Sequence, residues 1–190
     1  MIRDLVMKNR SYRRFYGDKV IELETLKELI DLARFCPSGR NLQGLKYMIF
    51  NSKEDNLKIS KSLFWAGYLK DWNGPEDEEK PSAYIIVFRD KNLGTPAPQD
   101  EGIVLQTMLL GAVEQGLGGC ILGNVNRVQL KEDLKFDDNY ELAFVLALGY
   151  PKEEIVIEKM NESGDVKYWR DENQVHYVPK RELDDLIINN

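Results

Sequence analysis

Histidine and cysteine are almost missing from this chain: one histidine, His176, and two cysteines, Cys36 and Cys120, in 190 residues. Neither cysteine stands in a CxxC or zinc-type spacing, so a His/Cys metal cluster has no ligands to draw on. Two free thiols in apolar surroundings suit a reducing compartment. Positive charge is also short, with 26 Lys and Arg against 32 Asp and Glu for a net charge of −6. That balance argues against a general nucleic-acid or anionic-membrane binder, because both partners reward net positive charge. Any anion site must be local. No apolar run approaches the length that crosses a bilayer, and Met1-Ile2-Arg3-Asp4 opens no signal-peptide core. The expectation is a cytoplasmic protein forming one domain, residues 1–190, large enough to bury a substantial core.

Catalytic signatures are equally scarce. A Ser-His-Asp triad would have to use His176, which lies beside Tyr177 and Val178 in an extended stretch, and no nucleophile elbow occurs. A structural or surface role is expected of that histidine. The run Gly116-Leu117-Gly118-Gly119 lacks the Lys-Ser/Thr of a nucleotide P-loop and follows a helix instead of opening one. It reads as a helix C-terminus, where glycine takes positive φ. No carboxylate pair has a spacing that singles it out for acid–base work, and there are neither repeats nor low-complexity linkers.

What is present is a set of helices and strands without strict βαβ alternation, hence an α+β chain. Residues 2–8 read as a short helix with Leu5 and Val6 inward, and Glu22 to Phe35 as an amphipathic helix stopped by Pro37. The polar loop Cys36 to Gly44 feeds a strand, Lys46 to Phe50. Ser52 caps a helix running to about Leu63. The aromatic stretch Phe64 to Trp72 reads as packing before a solvated acidic loop, Gly74 to Pro81. Tyr84 to Phe88 is a buried strand. Asp100 to Gln115 is a helix apolar on most sides, which predicts burial at the domain centre, at a subunit interface, or both. Cys120 to Leu122 and Leu142 to Leu148 read as strands, Val128 to Leu134 as a short helix, and Val175 to Val178 as extended. Pro179 to Ile188 reads as a terminal helix, with proline in its first turn.

Against this background one stretch stands out, Asn9-Arg10-Ser11-Tyr12-Arg13-Arg14-Phe15, with three guanidiniums and a hydroxyl within five positions. Arginine offers planar bidentate donors and stays charged at any working pH, which suits a phosphate. Alone, the cluster reads first as a solvated basic turn. In company it follows a pattern. Arg10-Ser11-Tyr12-Arg13-Arg14-Phe15, Cys36-Pro37-Ser38-Gly39-Arg40-Asn41-Leu42-Gln43, Gly116-Leu117-Gly118-Gly119 before Ile121-Leu122-Gly123, Gly149-Tyr150-Pro151 and Pro179-Lys180-Arg181 occur in the order seen in the FMN-dependent nitroreductase family, which this chain resembles over nearly its whole length.

The resemblance implies a central, mostly antiparallel sheet with flanking helices in an intertwined homodimer, with FMN at the subunit interface. It assigns Arg10, Ser11 and Arg13 to FMN, and Lys180 and Arg181 to its phosphate region. Pro37, Ser38, Gly39 and Asn41 would reach the flavin of the partner subunit. Ile121, Leu122 and Gly123 would lie along the ring, with a backbone N–H near Gly123 directed at N5. No side chain is assigned a catalytic role, since hydride chemistry belongs to the flavin. The implied reaction is ping-pong: NAD(P)H is the reductant, and a nitroaromatic, quinone or similar electron-poor small molecule is the acceptor. The alternatives are a flavin-binding protein with a storage or regulatory role, or the same fold with divergent chemistry: dehalogenation, flavin fragmentation or heterocycle oxidation. The chain departs from the pattern in having Asn9 where many members have another basic residue, and Gly44 where proline is common.

Overall fold

The computed structural model describes residues 1–189. In chain order its regular elements are α1 (Ile2–Lys8), α2 (Leu23–Arg34), β1 (Leu45–Phe50), α3 (Lys53–Ser60), β2 (Ala83–Asp90), α4 (Pro98–Glu114), β3 (Gly118–Leu122), α5 (Arg127–Leu134), β4 (Tyr140–Gly149), β5 (Ile155–Lys159), β6 (Trp169–Arg170) and β7 (His176–Lys180). Strands β1, β2, β4 and β3, in that spatial order, form an antiparallel sheet. Residues 83–88 of β2 are buried without interruption because helices cover both faces of the sheet.

Side chains alternate across a strand, and the two cores follow that alternation. Ala83, Ile85 and Val87 join Leu26 and Leu29 of α2 and Leu105 and Met108 of α4 on one face. Tyr84, Ile86 and Phe88 join Ile59 of α3 and Leu130 of α5 on the other. Each fully buried Leu, Ile or Phe contributes about 1.5–3 kcal/mol by leaving water, so this central strand is the main stabilising element. The α+β architecture and the antiparallel central sheet agree with the sequence expectation.

Several boundaries differ from it. Helix α4 begins at Pro98, its first turn accepting a proline that has no N–H to leave unpaired. Helix α3 stops at Ser60, because Leu63 bridges Val125 and the Phe64 N–H is taken by the Asn124 carbonyl. Val6 of α1 is exposed, not inward. Gly118 and Gly119 belong to β3, where a Cβ on Gly119 would lie 2.6 Å from the Ala147 carbonyl oxygen of the neighbouring strand. Glycine is there for close approach, while Gly116, at φ +75°, ends α4.

The largest departure is at the C-terminal end. The expected helix over 179–188 is absent: Pro179 and Lys180 complete β7, and only the turn Asp184–Leu186 is helical, of 3-10 type. Strand β7 pairs in parallel with β5, an element not anticipated, and antiparallel with β6. Proline is tolerated in β7 because β6 supplies only two residues, opposite Tyr177 and His176. At Pro179 the strand has a neighbour on one side only, so the missing donor breaks no ladder.

Candidate functional site

The basic cluster runs along the outer edge of β3. Ser11 bridges Gly119 in parallel fashion, and the Tyr12 N–H donates to the Gly119 carbonyl at 3.0 Å. Beyond it, Phe15 bridges Pro151, and the Lys152 N–H donates to the Arg14 carbonyl at 3.0 Å. These main-chain bonds fix the direction of each side chain in turn. Arg14 points away from its neighbours into a bidentate pair with Glu79, with Nε to Oε2 at 2.6 Å and Nη2 to Oε1 at 2.7 Å. Arg14 first, and Lys152 after it, draw the Glu79 carboxyl down to about 2 against the opposing pull of burial.

Arg10, Ser11 and Arg13 face the other way, into a cavity of about 340 Å³. Its opposite wall comes from the far end of the chain, with Ile155, Tyr168, Val178 and Lys180, and its floor includes Gln106 and Leu109 of α4 and Ile121 of β3. Val178 and Lys180 reach it together because they are two apart on one strand. The Arg13 guanidinium lies 4.6 Å from the centroid of the Tyr168 ring. Arg10 donates to the carbonyls of Asn9 at 2.5 Å and Val6 at 3.0 Å. Among the described residues, Arg10, Arg13 and Lys180 have no carboxylate in ion-pair contact with their side chains. In a chain with an excess of acids, three cations on one cavity without acidic partners concentrate positive charge, which suits an anion. Asn9, 7% exposed, adds a buried Oδ1 without a hydrogen-bond partner at the same rim.

The other expected residues fall elsewhere. Arg181 is exposed and outside the cavity lining. Leu122, 5% exposed, is turned into the core beneath α5, so its backbone alone can serve the cavity side of β3. Gly123 is exposed just past the strand, near the Phe144 ring. None of Pro37, Ser38, Gly39 and Asn41 lines the cavity of its own chain. Their loop is wound through left-handed conformations at Arg40, Asn41 and Gln43. Asp100 Oδ1 pins it by accepting from the Gly39 N–H at 2.9 Å, and Ser38 Oγ accepts from the Gln43 N–H at 3.1 Å.

A larger cleft, about 830 Å³, opens between Lys19, Lys53, Lys80 and Ser82 and contains none of the expected residues. Two of its lysines are spent on acids, Lys80 on Asp77 and Lys152 on Glu79. Lys19 and Lys53 line it too, but so do Asp18, Asp77 and Glu78, whereas no acid lines the smaller cavity.

Sequence reasoning missed a buried polar group directly behind the cavity. Glu153 and His176 are fully buried as side chains and Arg170 nearly so. Glu153 Oε1 meets His176 Nδ1 at 2.9 Å and accepts from Arg170, while Oε2 accepts from the Arg13 backbone N–H at 2.9 Å. Burial pushes the Glu153 carboxyl up, but the His176 bond, the Arg170 charge and the Arg13 amide together bring it below its ordinary value. His176, for which a structural or surface place was expected, is buried against Glu153. The only signal in the sequence was a glutamate two residues after Gly149-Tyr150-Pro151.

A layered α+β scaffold whose sheet edge carries a cavity lined by Arg10, Arg13 and Lys180 is suited to a small anionic ligand. The chain belongs to the nitroreductase family, whose model matches residues 6–71 and 79–150. A curated protein of Archaeoglobus fulgidus, provisionally named an NADH dehydrogenase/NAD(P)H nitroreductase, is 28% identical over 149 residues, spanning 74% of this chain and 80% of its own. A solved nitroreductase family protein of Clostridium difficile is 27% identical with a TM-score of 0.63, covering 79% of this chain and 84% of that one. A protein of Exiguobacterium sibiricum, provisionally named a nitroreductase and solved in complex with FMN, has the same fold at 19% identity and a TM-score of 0.65, covering 80% and 89%. The family match ends at residue 150, so Ile155, Tyr168, Val178 and Lys180 lie beyond it.

Proposed function

We propose that this chain is an FMN-dependent NAD(P)H oxidoreductase of electron-poor acceptors such as nitroaromatics or quinones, working as a cytoplasmic homodimer. The observation that carries the reading is the convergence of Arg10, Arg13 and Lys180, free of acidic partners, on one cavity with an apolar floor. The donor set fits a flavin mononucleotide: a doubly charged phosphate takes charge-assisted bonds from guanidinium, ammonium and the Ser11 hydroxyl. Leu109, Ile121 and Val178 offer the ring an apolar face that excludes water. When bound, FMN supplies the hydride-accepting and hydride-donating chemistry. Arg10, Ser11, Arg13 and Lys180 would hold its phosphate, and Ile121 with the backbone that follows it toward Gly123 would support its ring. Reductant and acceptor use the same opening in turn, which makes the kinetics ping-pong.

The dimer is supported by two features. Helix α4 carries a partly buried apolar stripe, Ile103, Leu110 and Val113, and α2 presents Leu32 at 41% exposure with Phe35 at 70% just past its end. A contiguous exposed apolar patch supports an interface there. The Pro37–Asn41 loop, away from its own chain's cavity, is available to the partner's.

The test is the visible spectrum of the purified protein, recorded anaerobically as NADH or NADPH is added. A bound flavin that bleaches, then recovers with an electron-poor acceptor, is the expected result. No flavin and no uptake of added FMN would end the proposal. Arg10→Ala combined with Arg13→Ala should weaken FMN retention by about 1.5–3 kcal/mol for each charged hydrogen bond lost, at least tenfold in Kd.

A further inference from the structure

The cavity has two walls drawn from opposite ends of the chain, and one buried carboxylate touches both. Residues 10–13 make the first wall, and the sheet of β5, β6 and β7, with Tyr168 just before β6, makes the second. Glu153 stands between them. Its Oε2 holds the first wall through the Arg13 N–H, and its Oε1 holds the second through Arg170 of β6 and His176 of β7. A second path runs from the same carboxylate to the same arginine. His176 packs against the Tyr168 ring at 5.2 Å, and that ring carries the Arg13 guanidinium at 4.6 Å. Arg13 is therefore fixed twice, at its main chain directly and at its charged end through His176 and Tyr168. Arg170 in turn lies 4.3 Å over the Trp72 ring, which brings the aromatic stretch 64–72 into the same assembly.

We propose that Glu153 is a positioning residue that sets the spacing of the two cavity walls, and with it the grip of Arg13 and Lys180 on the phosphate of a bound mononucleotide; the ligand in this statement rests on the function proposed above. Glutamate is needed for reach as well as charge. Aspartate, one methylene shorter, keeps the charge but meets one wall and leaves the other. A buried ion pair is often no more stabilising than an apolar pair of similar volume, which leaves room for a role other than stability. The reward is a fixed geometry at Arg13, and charge-assisted bonds are lost steeply once donors move out of reach.

The experiment compares the unaltered protein with Glu153→Ala and Glu153→Asp, each stripped of flavin and titrated with FMN and with riboflavin, which lacks the phosphate. Flavin fluorescence gives the two Kd values, and their ratio is the readout. A partly unfolded variant loses both ligands equally and keeps the ratio. Loosened walls lose FMN selectively, so the FMN preference is expected to fall at least tenfold in Glu153→Ala and to an intermediate degree in Glu153→Asp. An unchanged ratio in both overturns the proposal. Should Glu153→Ala fail to fold, Tyr168→Leu breaks the second path without disturbing the buried charges, and the same fall in ratio is required of it.

Amide hydrogen exchange on the flavin-free proteins separates this inference from the functional reading. Loss of Glu153 should speed exchange at least tenfold in segments 10–15 and 168–180 while segments 83–90 and 140–149 keep their protection. If the unaltered protein binds neither flavin, the proposed function fails, and the exchange pattern alone decides: faster exchange at both walls supports the brace, and no change or uniform change overturns it.

Discussion

Replacing Glu79 by glutamine tests the electrostatics that seat the basic cluster. Glu79 lies on the short helical turn Asp77–Glu79, its side chain 12% exposed, paired with Arg14 and more loosely with Lys152. Its carboxyl is drawn from an ordinary 4.5 to about 2. At about 1.36 kcal/mol per unit of pKa, that displacement bounds the charged form's contribution at about 3.4 kcal/mol. Lys152 is 39% exposed, so water screens its share. The expected loss in Glu79→Gln at pH 7 is therefore about 1.5–2.5 kcal/mol, or about 3–10 °C in Tm for a chain of this size.

The sign of the pH dependence follows from the depressed value. Stability from Glu79 is fully present above 4.5 and drains away as pH falls toward about 2. Urea unfolding at pH 7, 5, 4 and 3 should therefore show a gap between the two proteins that is constant down to pH 5 and less than half its full size by pH 3. Glu153 titrates in acid as well, but it is present in both proteins and cancels from the difference. A gap as wide at pH 3 as at pH 7, or no gap at neutral pH, would refute the reasoning.

Other substitutions probe the packing that places the site. In Gly149→Ala the new Cβ would lie 2.7 Å from the Phe15 ring, which is fully buried, so overpacking should cost about 1–3 kcal/mol, read by thermal melting. Asp100→Ala removes the acceptor of the Gly39 N–H and should raise hydrogen exchange across 38–43, with about 1–2 kcal/mol lost in denaturant titration. Unaltered exchange in that loop would mean that its left-handed winding is held by Ser38 alone.

Much of the fold was legible because β2 and β4 are long apolar runs, β2 rich in β-branched residues, and because α2 has a clean helical period. The C-terminal sheet was not. Strand β5 reads Ile155-Val156-Ile157 beside charged residues with no turn signal to bound it, and Pro179-Lys180-Arg181 imitates a helix start. What decides between helix and strand there is the parallel partner some twenty residues away, a tertiary fact that local pattern does not carry. The site divides along the same line. Arg10, Ser11 and Arg13 stand out as a local cluster of charge, which only the family resemblance turns into a candidate site. Glu153 does not, since one glutamate among many acids acquires its meaning from burial, and strand alternation turns the Leu122 side chain inward while Ile121 faces the cavity.

The cavity's two walls stand at residues 10–13 and 155–180, nearly the full length of the chain apart. During synthesis the first wall leaves the ribosome early and stays half a site until Lys180 follows. A growing chain cannot close the cavity before residues 155–180 have emerged. A ligand that binds only the joined walls adds its binding free energy to their closure. It should therefore guard both ends against proteases together, so that a nick near either terminus reports whether the cavity is filled.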